Sequence, residues 1–462
     1  MSSTTEAKTK QSKDDVIIAG STWAAIWHMS WPLLLNMATI SLATFADIWV
    51  AGKLGRDAQA AIGLCGQIWF FMIILTVALS AATTALVSRY FGARDLATTI
   101  EAARQSLCFA LIFGIASSAV GLLCCRPLLN FLGASPPVQQ LGWDFLKFDL
   151  VGQIPYTILW VSNSIFRAKG NARAPMSIMA LVTAIVIALD FTLSLSPFHM
   201  GIQGIGLAWL ISGTVGIIIS LYLLKSSELG DCLDFRPIFA RGVSREWFFR
   251  LMKIGIPACM EDLFWVGGNF VLFLIFAQTS NPTPCQAAWA VGLRLEENLA
   301  GMPIYAFAMA VATIVGQNIG AGQPNRAERV GWQVAGLGAA LNFIVGLVLF
   351  WEAVPIAHAM SSDQKVILYS SQYLQVVGLS EPFVAIWLIL FGAMRGAGYT
   401  RWPMLASAVC LIGVRLPLAW YLTIPLKLGP IGTWLSLAIS SVLVGVIAIW
   451  RFKTGVWKTQ QV

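Results

Sequence analysis

The segment at residues 31–55, WPLLLNMATISLATFADIWVAGKLG, carries an aspartate inside an apolar run. Between Ala24 and Gly52 the ionisable residues are His28, near the inner end, and Asp47. At about 1.5 Å per residue, a helix of this length crosses a hydrocarbon core of roughly 30 Å. Placing a carboxylate in that core costs a free energy of insertion on the order of 3 kcal/mol. Asp47 therefore indicates a cation or proton site facing a water-filled cavity, or else a residue wetted by headgroups at the outer helix end.

The composition fits a polytopic membrane protein. Of the 462 residues, 57% are hydrophobic and 11% are charged, whereas soluble domains carry about 25% charged residues. The eight cysteines lie mostly in apolar runs without CxxC spacing, which indicates neither a disulfide framework nor a zinc site. Phosphate-binding loops and catalytic motifs are also missing from the sequence. We therefore expect no cofactor and no enzyme activity, and a transporter driven by an ion gradient.

Apolar runs predict twelve transmembrane helices and hence an all-α fold. The runs fall near residues 24–51, 61–86, 99–124, 141–166, 175–196, 203–224, 250–278, 285–315, 330–351, 366–394, 402–424 and 430–450. The fourth run has the weakest signal because it contains Asp144, Lys147 and Asp149.

The basic residues predict the orientation. Most of the 30 Lys and Arg residues fall in loops on the side of the two termini. The opposite loops hold Lys53, Arg56, Arg126, Lys365 and Lys427. By the positive-inside rule, both termini are expected in the cytoplasm of a cell (inner) membrane. This asymmetry accounts for the net charge of +8 without binding to nucleic acid.

The two halves of the chain repeat each other. Residues 166–175 align with 394–403 at a shift of 228, with matching Arg, Gly, Arg and Pro, and the same shift sets 87–93 on 315–321. Six helices per half is an even number, so the halves are parallel repeats related by an axis along the membrane normal. Such repeats predict two rigid bundles with a cavity between them, which rock to alternate access.

This organisation predicts five regions. They are a disordered cytoplasmic tail (1–20), an N-lobe of helices one to six (21–225), a cytoplasmic linker (226–249), a C-lobe of helices seven to twelve (250–452) and a second cytoplasmic tail (453–462).

Two aspartates in the N-half are expected at matching depth. Asp47 precedes the outer end of helix one by a few residues, and Asp190 is placed similarly in helix five. Such a pair could share a proton or jointly bind a cation. The alternative is that each carboxyl group is capped by a nearby hydroxyl group of Thr44, Thr183 or Thr192.

A second set of charged residues lies near the middle of the C-half helices. Its members are Glu261, Asp262, Arg294, Glu296, Glu297, Glu381 and Arg415. We expect them to form one network, in which the excess of acids favours a cationic ligand or bound protons. The alternative is a purely structural set of buried ion pairs, with Arg415 as the clearest structural case.

Several motifs resemble the multidrug and toxic compound extrusion (MATE) family, in its prokaryotic DinF-like branch. They are Pro32 with Asp47 and residues 52–55, the RYFGARD of 89–95, the VGQNIGAG of 315–322, the RGAG of 395–398 and the RLP of 415–417. The resemblance covers nearly the whole chain, and VGQNIGAG is its most specific part.

The resemblance implies a twelve-helix, two-lobe antiporter that exports amphiphilic, often cationic, compounds against Na+ or H+. It implies that Asp47 and Asp190 are the family's N-lobe aspartates, and that Glu381 stands roughly where some branches carry a C-lobe acid. The asparagine usual four residues before the second aspartate is Val186 here. That departure favours H+ over Na+ as the coupling ion.

The sequence thus predicts a membrane-embedded, monomeric secondary active efflux antiporter for small molecules. The alternative is a lipid-linked saccharide flippase of the same superfamily. A flippase would be expected to hold pyrophosphate with several cationic residues, and the acid-rich C-half argues against it.

Overall fold

The structure is a computed structural model that describes residues 16–131 and 133–460. The first fifteen residues of the predicted N-terminal tail, and residues 461–462 of the C-terminal one, lie outside this part. Residues 16–18 form a helical turn ahead of the first long helix.

The chain folds into twelve long helices, which we number α1 to α12. They are α1 Thr22–Leu54, α2 Arg56–Gly92, α3 Leu96–Phe131, α4 Pro136–Ala168, α5 Arg173–Leu195, α6 Ile202–Lys225, α7 Arg245–Phe276, α8 Pro282–Gly320, α9 Pro324–Trp351, α10 (α10a Gln364–Gly378 with α10b Glu381–Gly396), α11 Arg401–Thr423 and α12 Pro430–Lys453. Short helices at Arg236–Arg241 and Ala353–Met360 lie between them.

The predicted all-α fold is confirmed. Ten of these helices are long and apolar enough to cross a membrane, and the bent pair α10a and α10b makes an eleventh candidate. The twelfth, α4, was also the weakest in the sequence. It packs against α2, α3 and α6, and two of its charges pair with each other, since Lys147 Nζ lies 2.8 Å from Asp144 Oδ1. Burial among neighbouring helices lets α4 carry polar groups that lipid would not accept.

The helices extend past the predicted apolar runs. The second run, predicted at 61–86, belongs to a helix from Arg56 to Gly92, because a helix continues into polar residues where hydropathy falls.

Between α2 and α3, hydrogen bonds from the side chain and the main chain of Thr98 hold the pKa of the exposed Asp95 carboxyl group below its usual value. Asp95 thereby caps the start of α3.

The predicted tenth helix, 366–394, is broken. Its halves meet at an angle of 57° between Gly378 and Glu381. Pro382 is in the first turn of α10b, where its missing N–H is tolerated. At the break, α10a approaches α9 so closely that a Cβ atom on Gly346 would lie 2.2 Å from the Gly378 carbonyl oxygen.

Three π-helical turns interrupt the described helices. They are Asp190–Leu195, Glu297–Gly301 and Ala408–Val414. The first two begin at a charged residue, and the third ends directly before Arg415. Such turns insert an extra residue into the helix and are frequent at functional sites.

The chain divides into two compact units. The N-terminal unit is Trp27–Gly255, and the C-terminal unit is Met1–Ile26 with Ile256–Val462. Both boundaries fall inside helices, α1 and α7. The sequence-based division into lobes, linker and tails stays a prediction.

Each unit has its own apolar core. In the N-terminal unit the core gathers buried side chains such as Ile68, Leu129 and Leu146. In the C-terminal unit it is aromatic, and Trp289 stacks on Trp434 at 5.9 Å between ring centroids. Many large apolar side chains of both units, such as those of Trp27, Leu123 and Ile218, are largely exposed, which is expected where lipid replaces water.

The segment before α1 is held by polar side chains of the C-terminal unit. Ile17 is buried, and its carbonyl oxygen accepts hydrogen bonds from Arg326 Nη2 at 3.0 Å and Asn318 Nδ2 at 3.4 Å. Asn318 belongs to the VGQNIGAG motif, which therefore has a structural role at the end of α8.

Candidate functional site

The structure brings Asp47 of α1 and Asp190 of α5 together, within hydrogen-bonding range of each other. Asp190 is completely buried and Asp47 is half-buried. The indole Nε1–H of Trp209, on α6, donates to Asp47 Oδ2 at 3.0 Å. The remaining three carboxyl oxygens have no hydrogen-bond donor among the described residues. Two carboxylates this close cannot both be ionised without a counter-charge, so the pair is suited to share a proton or hold a small cation.

The hydroxyl groups considered as caps do not donate to the pair. Those of Thr44, Thr183 and Thr192 donate to main-chain carbonyl oxygens at 3.2, 3.3 and 2.9 Å respectively. Val186, one turn before Asp190 on α5, is completely buried and apolar. The polar surroundings of the pair are therefore sparse, and Trp209 supplies the one hydrogen-bond donor that the described residues offer it.

A small cavity lies beside the pair. Its lining includes Trp69, Asp149, Gln153, Tyr156 and Trp209, and it has room for about one water molecule. Asp149 of α4 is only 8% exposed, and its Oδ2 has no hydrogen-bond partner in the described part of the chain. The charge of Asp47 acts on Asp149.

The C-terminal unit holds a closed group of polar side chains around Glu296 and Glu381. These two carboxyl groups lie within hydrogen-bonding range of each other. Asn342 Nδ2 donates to Glu381 Oε2 at 2.8 Å, and the Tyr373 hydroxyl group donates to Glu296. Glu381, Asn342 and Tyr373 are almost completely buried, while Glu296 is half-buried.

Arg415 supplies the positive charge of this closed group. Its guanidinium acts on Glu296 through its charge, while its Nε donates to Ser440 Oγ at 2.8 Å and its Nη2 to Ser441 Oγ at 3.5 Å. Hydroxyl partners thus hold a buried guanidinium in place beside an acid pair.

A second group of charges surrounds Glu261. Arg395 Nη1 lies 3.1 Å from Glu261 Oε2, and Asp262 is close to both. Glu297 and Arg294 interact with each other, and Glu297 acts on Tyr305, as Asp262 does. Of these side chains Glu261 is buried, Asp262 and Glu297 are half-buried, and Arg294 is exposed.

The seven charged residues predicted in the C-half are therefore arranged around two centres, which the interaction between Glu296 and Glu297 connects. Glu296, Glu381 and Arg415 form the closed group. Glu261, Asp262, Glu297 and Arg294 form the more open one, which we call the open acidic group.

Sequence reasoning missed several members of these sites. Arg395 was counted as a loop charge, although it lies at the end of an apolar run and pairs with a buried acid. Asp149 was noted only as a residue that weakens helix four. Asn342, Tyr373 and Trp209 gave no signal, because single polar residues in apolar helices do not reveal which way they face.

Comparison with protein-family models now decides the family. The model described as MatE matches residues 32–192 and 257–421, which is well over half of the chain. The chain belongs to the MATE family. Both matched segments include the charged residues described above, Asp47 and Asp190 in the first and Glu261 to Arg415 in the second.

Other MATE proteins agree with this assignment. A probable multidrug resistance protein NorM of Thermotoga maritima is 24% identical over 428 residues, covering 90% of this chain and 89% of that protein. An FAD transporter of Shewanella oneidensis is 28% identical, covering 91% of this chain and 92% of its own length. A crystallised mutant of the Vibrio cholerae MATE transporter VcmN superimposes with a TM-score of 0.86 at 22% identity, covering 94% and 98% of the two chains.

These comparisons confirm the predicted fold, the family and the assignment to transporters rather than enzymes. The protein is a multi-pass membrane transporter of the MATE family, in the multidrug efflux class.

Proposed function

We propose that this MATE protein is a secondary active antiporter that exports amphiphilic cationic small molecules in exchange for H+. The observation that carries the proposal is the contact between Asp47 and Asp190 inside an apolar bundle. The ion pairs made by the described residues include neither carboxyl group. A bound proton, or a cation that replaces it, is the simplest way to balance their charge.

The sparse oxygen donors around the pair favour H+ over Na+ as the coupling ion. A shared proton needs only the two carboxyl groups. A sodium ion would need several further oxygen ligands, whereas the nearby threonine hydroxyl groups bond to main-chain carbonyls and Val186 offers none. Proton binding would then neutralise the pair, and substrate release outward would follow the accompanying change in α1 by alternating access.

The acids of the C-terminal unit divide by their hydrogen-bond partners. The closed group around Glu296 and Glu381 has internal partners for most of its polar atoms, which fits a structural role. The open acidic group is more accessible, and Asp262 and Glu297 are its half-buried carboxyl groups. We propose that these two acids attract the positive charge of the substrate.

The cellular setting is part of the proposal. We propose a monomer in the inner membrane, and the distribution of Lys and Arg supports placing both termini in the cytoplasm. The relative named as an FAD transporter makes an anionic nucleotide the competing substrate class. The acid pair without a cation partner in the N-terminal unit, and the excess of acids over arginines at the charged sites of the C-terminal unit, argue against it here.

The test is transport by purified protein in liposomes, driven separately by a pH gradient and by a Na+ gradient. Ethidium export should follow the pH gradient, with H+ moving in the opposite direction. Asp47→Asn should fold but lose gradient-driven export, because its side chain cannot exchange a proton. Thr44→Val, three residues away on α1, is the control and should keep export.

Two outcomes would contradict the proposal. Full export by Asp47→Asn would exclude the carboxyl pair from coupling. Transport of FAD in place of ethidium would contradict the cationic substrate class while leaving the coupling ion to be decided by the two gradients.

A further inference from the structure

Asp149 is a buried acid with no role in the exchange derived so far. It lies on α4, more than nine-tenths buried, and its Oδ2 has no partner among the described residues. The side chain lines the small cavity that it shares with Trp69, Gln153 and Trp209. Trp209 forms part of the cavity wall and donates to Asp47 from the same ring. One indole therefore separates the unpartnered carboxyl group from the carboxyl pair.

The titratable groups around Asp149 supply no positive charge. Asp47 on α1 and Cys65 on α2 interact with Asp149. Tyr156, about two helical turns further along α4, interacts with it as well. The nearest cation along the same helix, Lys147, is paired with Asp144 at 2.8 Å.

The other helices that pack on α4 do not change this balance of charge around Asp149. Trp209 is the polar group that α6 contributes to the cavity. On α3, Cys125 acts on Cys65 and carries no positive charge. The acid on α5 is Asp190, the partner of Asp47.

A buried carboxylate without a counter-charge is costly, so it takes up a proton or a cation. The cavity beside Asp149 holds about one water molecule, and its walls are mainly aromatic. The side chains that line the cavity offer one carboxyl group, one amide and the Tyr156 hydroxyl group, which are too few oxygen ligands for a metal ion, whereas one carboxyl group with a water is enough for a proton.

We propose that Asp149 is a second proton-binding group of the N-terminal unit, loaded through a water molecule in the cavity beside Trp209. The water accepts a proton from the solvent side while it donates one of its own to Asp149 Oδ2, and the reverse relay releases the proton, so that only O–H bonds are made and broken. The transporter then moves one proton more per cycle than the Asp47–Asp190 pair alone would carry. This inference rests on the proposed H+ antiport and adds the number of protons exchanged.

The experiment compares the ratio of H+ moved to ethidium exported in liposomes. Asp149→Asn should lower this ratio by one proton while export continues. Asp144→Asn is the matched control, because that carboxyl group lies on the same helix but is paired with Lys147. Its ratio should equal that of the unchanged protein.

A second measurement does not depend on the folding of Asp149→Asn. In the double variant Asp47→Asn with Asp190→Asn, the carboxyl pair is removed and Asp149 is intact, so the purified protein should still take up a proton after a pH jump, with a change in tryptophan fluorescence that Trp69→Phe removes. The inference would be overturned by an unchanged ratio in Asp149→Asn, by no proton uptake in this double variant, or by uptake that Na+ abolishes. If the unchanged protein exports dye without moving H+, it is the proposed antiport itself that fails.

Discussion

Replacing Gly346 with alanine tests the packing that holds the closed acid group of the C-terminal unit. The added methyl carbon would lie 2.2 Å from the Gly378 carbonyl oxygen, 1.2 Å short of the 3.4 Å at which ordinary contact begins. Since the obstacle is backbone, α9 and α10a must separate. Asn342, one turn earlier on α9, would move with Gly346, and its 2.8 Å bond to Glu381 would lengthen beyond hydrogen-bonding distance.

The expected loss of stability follows from three contributions. Overpacking of this kind costs about 1–3 kcal/mol. Loss of a buried hydrogen bond to a charged group costs about 1.5–3 kcal/mol. Alanine is favoured over glycine in a helix by about 1 kcal/mol, which acts in the other direction. The free energy of unfolding should therefore fall by roughly 1.5–5 kcal/mol.

The control is Gly336→Ala on the same helix. Gly336 is exposed, and a Cβ atom there has no neighbour within 4 Å, so this variant should be as stable as the unchanged protein or slightly more so. Thermal unfolding in detergent, followed by the fluorescence of the buried tryptophans, measures both. Equal melting temperatures for Gly346→Ala and Gly336→Ala would show that the close approach of α9 and α10a is not as described.

Two further variants test other contacts. Glu261→Gln should lower the free energy of unfolding of the C-terminal unit by about 3 kcal/mol, the lower end for a broken buried pair, because Arg395 is partly exposed. The double variant with Arg395→Met should recover part of that loss, and additive losses from the two substitutions would contradict the pairing. Arg326→Ala removes a charged donor from the Ile17 carbonyl group, so residues 16–20 should be cut by protease about tenfold faster, whereas Arg329→Ala on the same helix should leave the rate unchanged.

The sequence predicted the helices well because each crosses a membrane, and the hydrocarbon core demands a long apolar run. It predicted their ends poorly, since a helix does not stop where hydropathy falls. The break in the tenth helix had a readable signal. Gly378 and Pro382 stand four residues apart in the run, and both residue types punctuate helices.

The charged sites were predicted less completely, for a physical reason. Composition shows that Asp47, Asp190 and Glu381 are in the membrane, but a helix places each side chain by its rotation, and rotation depends on packing. Each π-helical turn adds a residue and changes that rotation without changing composition. The arrangement of the C-half acids in two groups could not be read from their depth alone.

The repeat explains the helices of the two units but not their charges. At the shift of 228 residues, Asp47 falls on Ile275 and Asp190 on Leu418, which are apolar. The C-terminal unit instead has a buried ion pair and a closed group in which the acids accept hydrogen bonds from an amide and a hydroxyl group and lie near a guanidinium. Two halves with one helix plan have therefore diverged in electrostatics. Within residues 16–131 and 133–460, a contacting acid pair without a nearby cation occurs in the N-terminal unit alone, which is why we assign the exchange of H+ to that unit and not to its repeat.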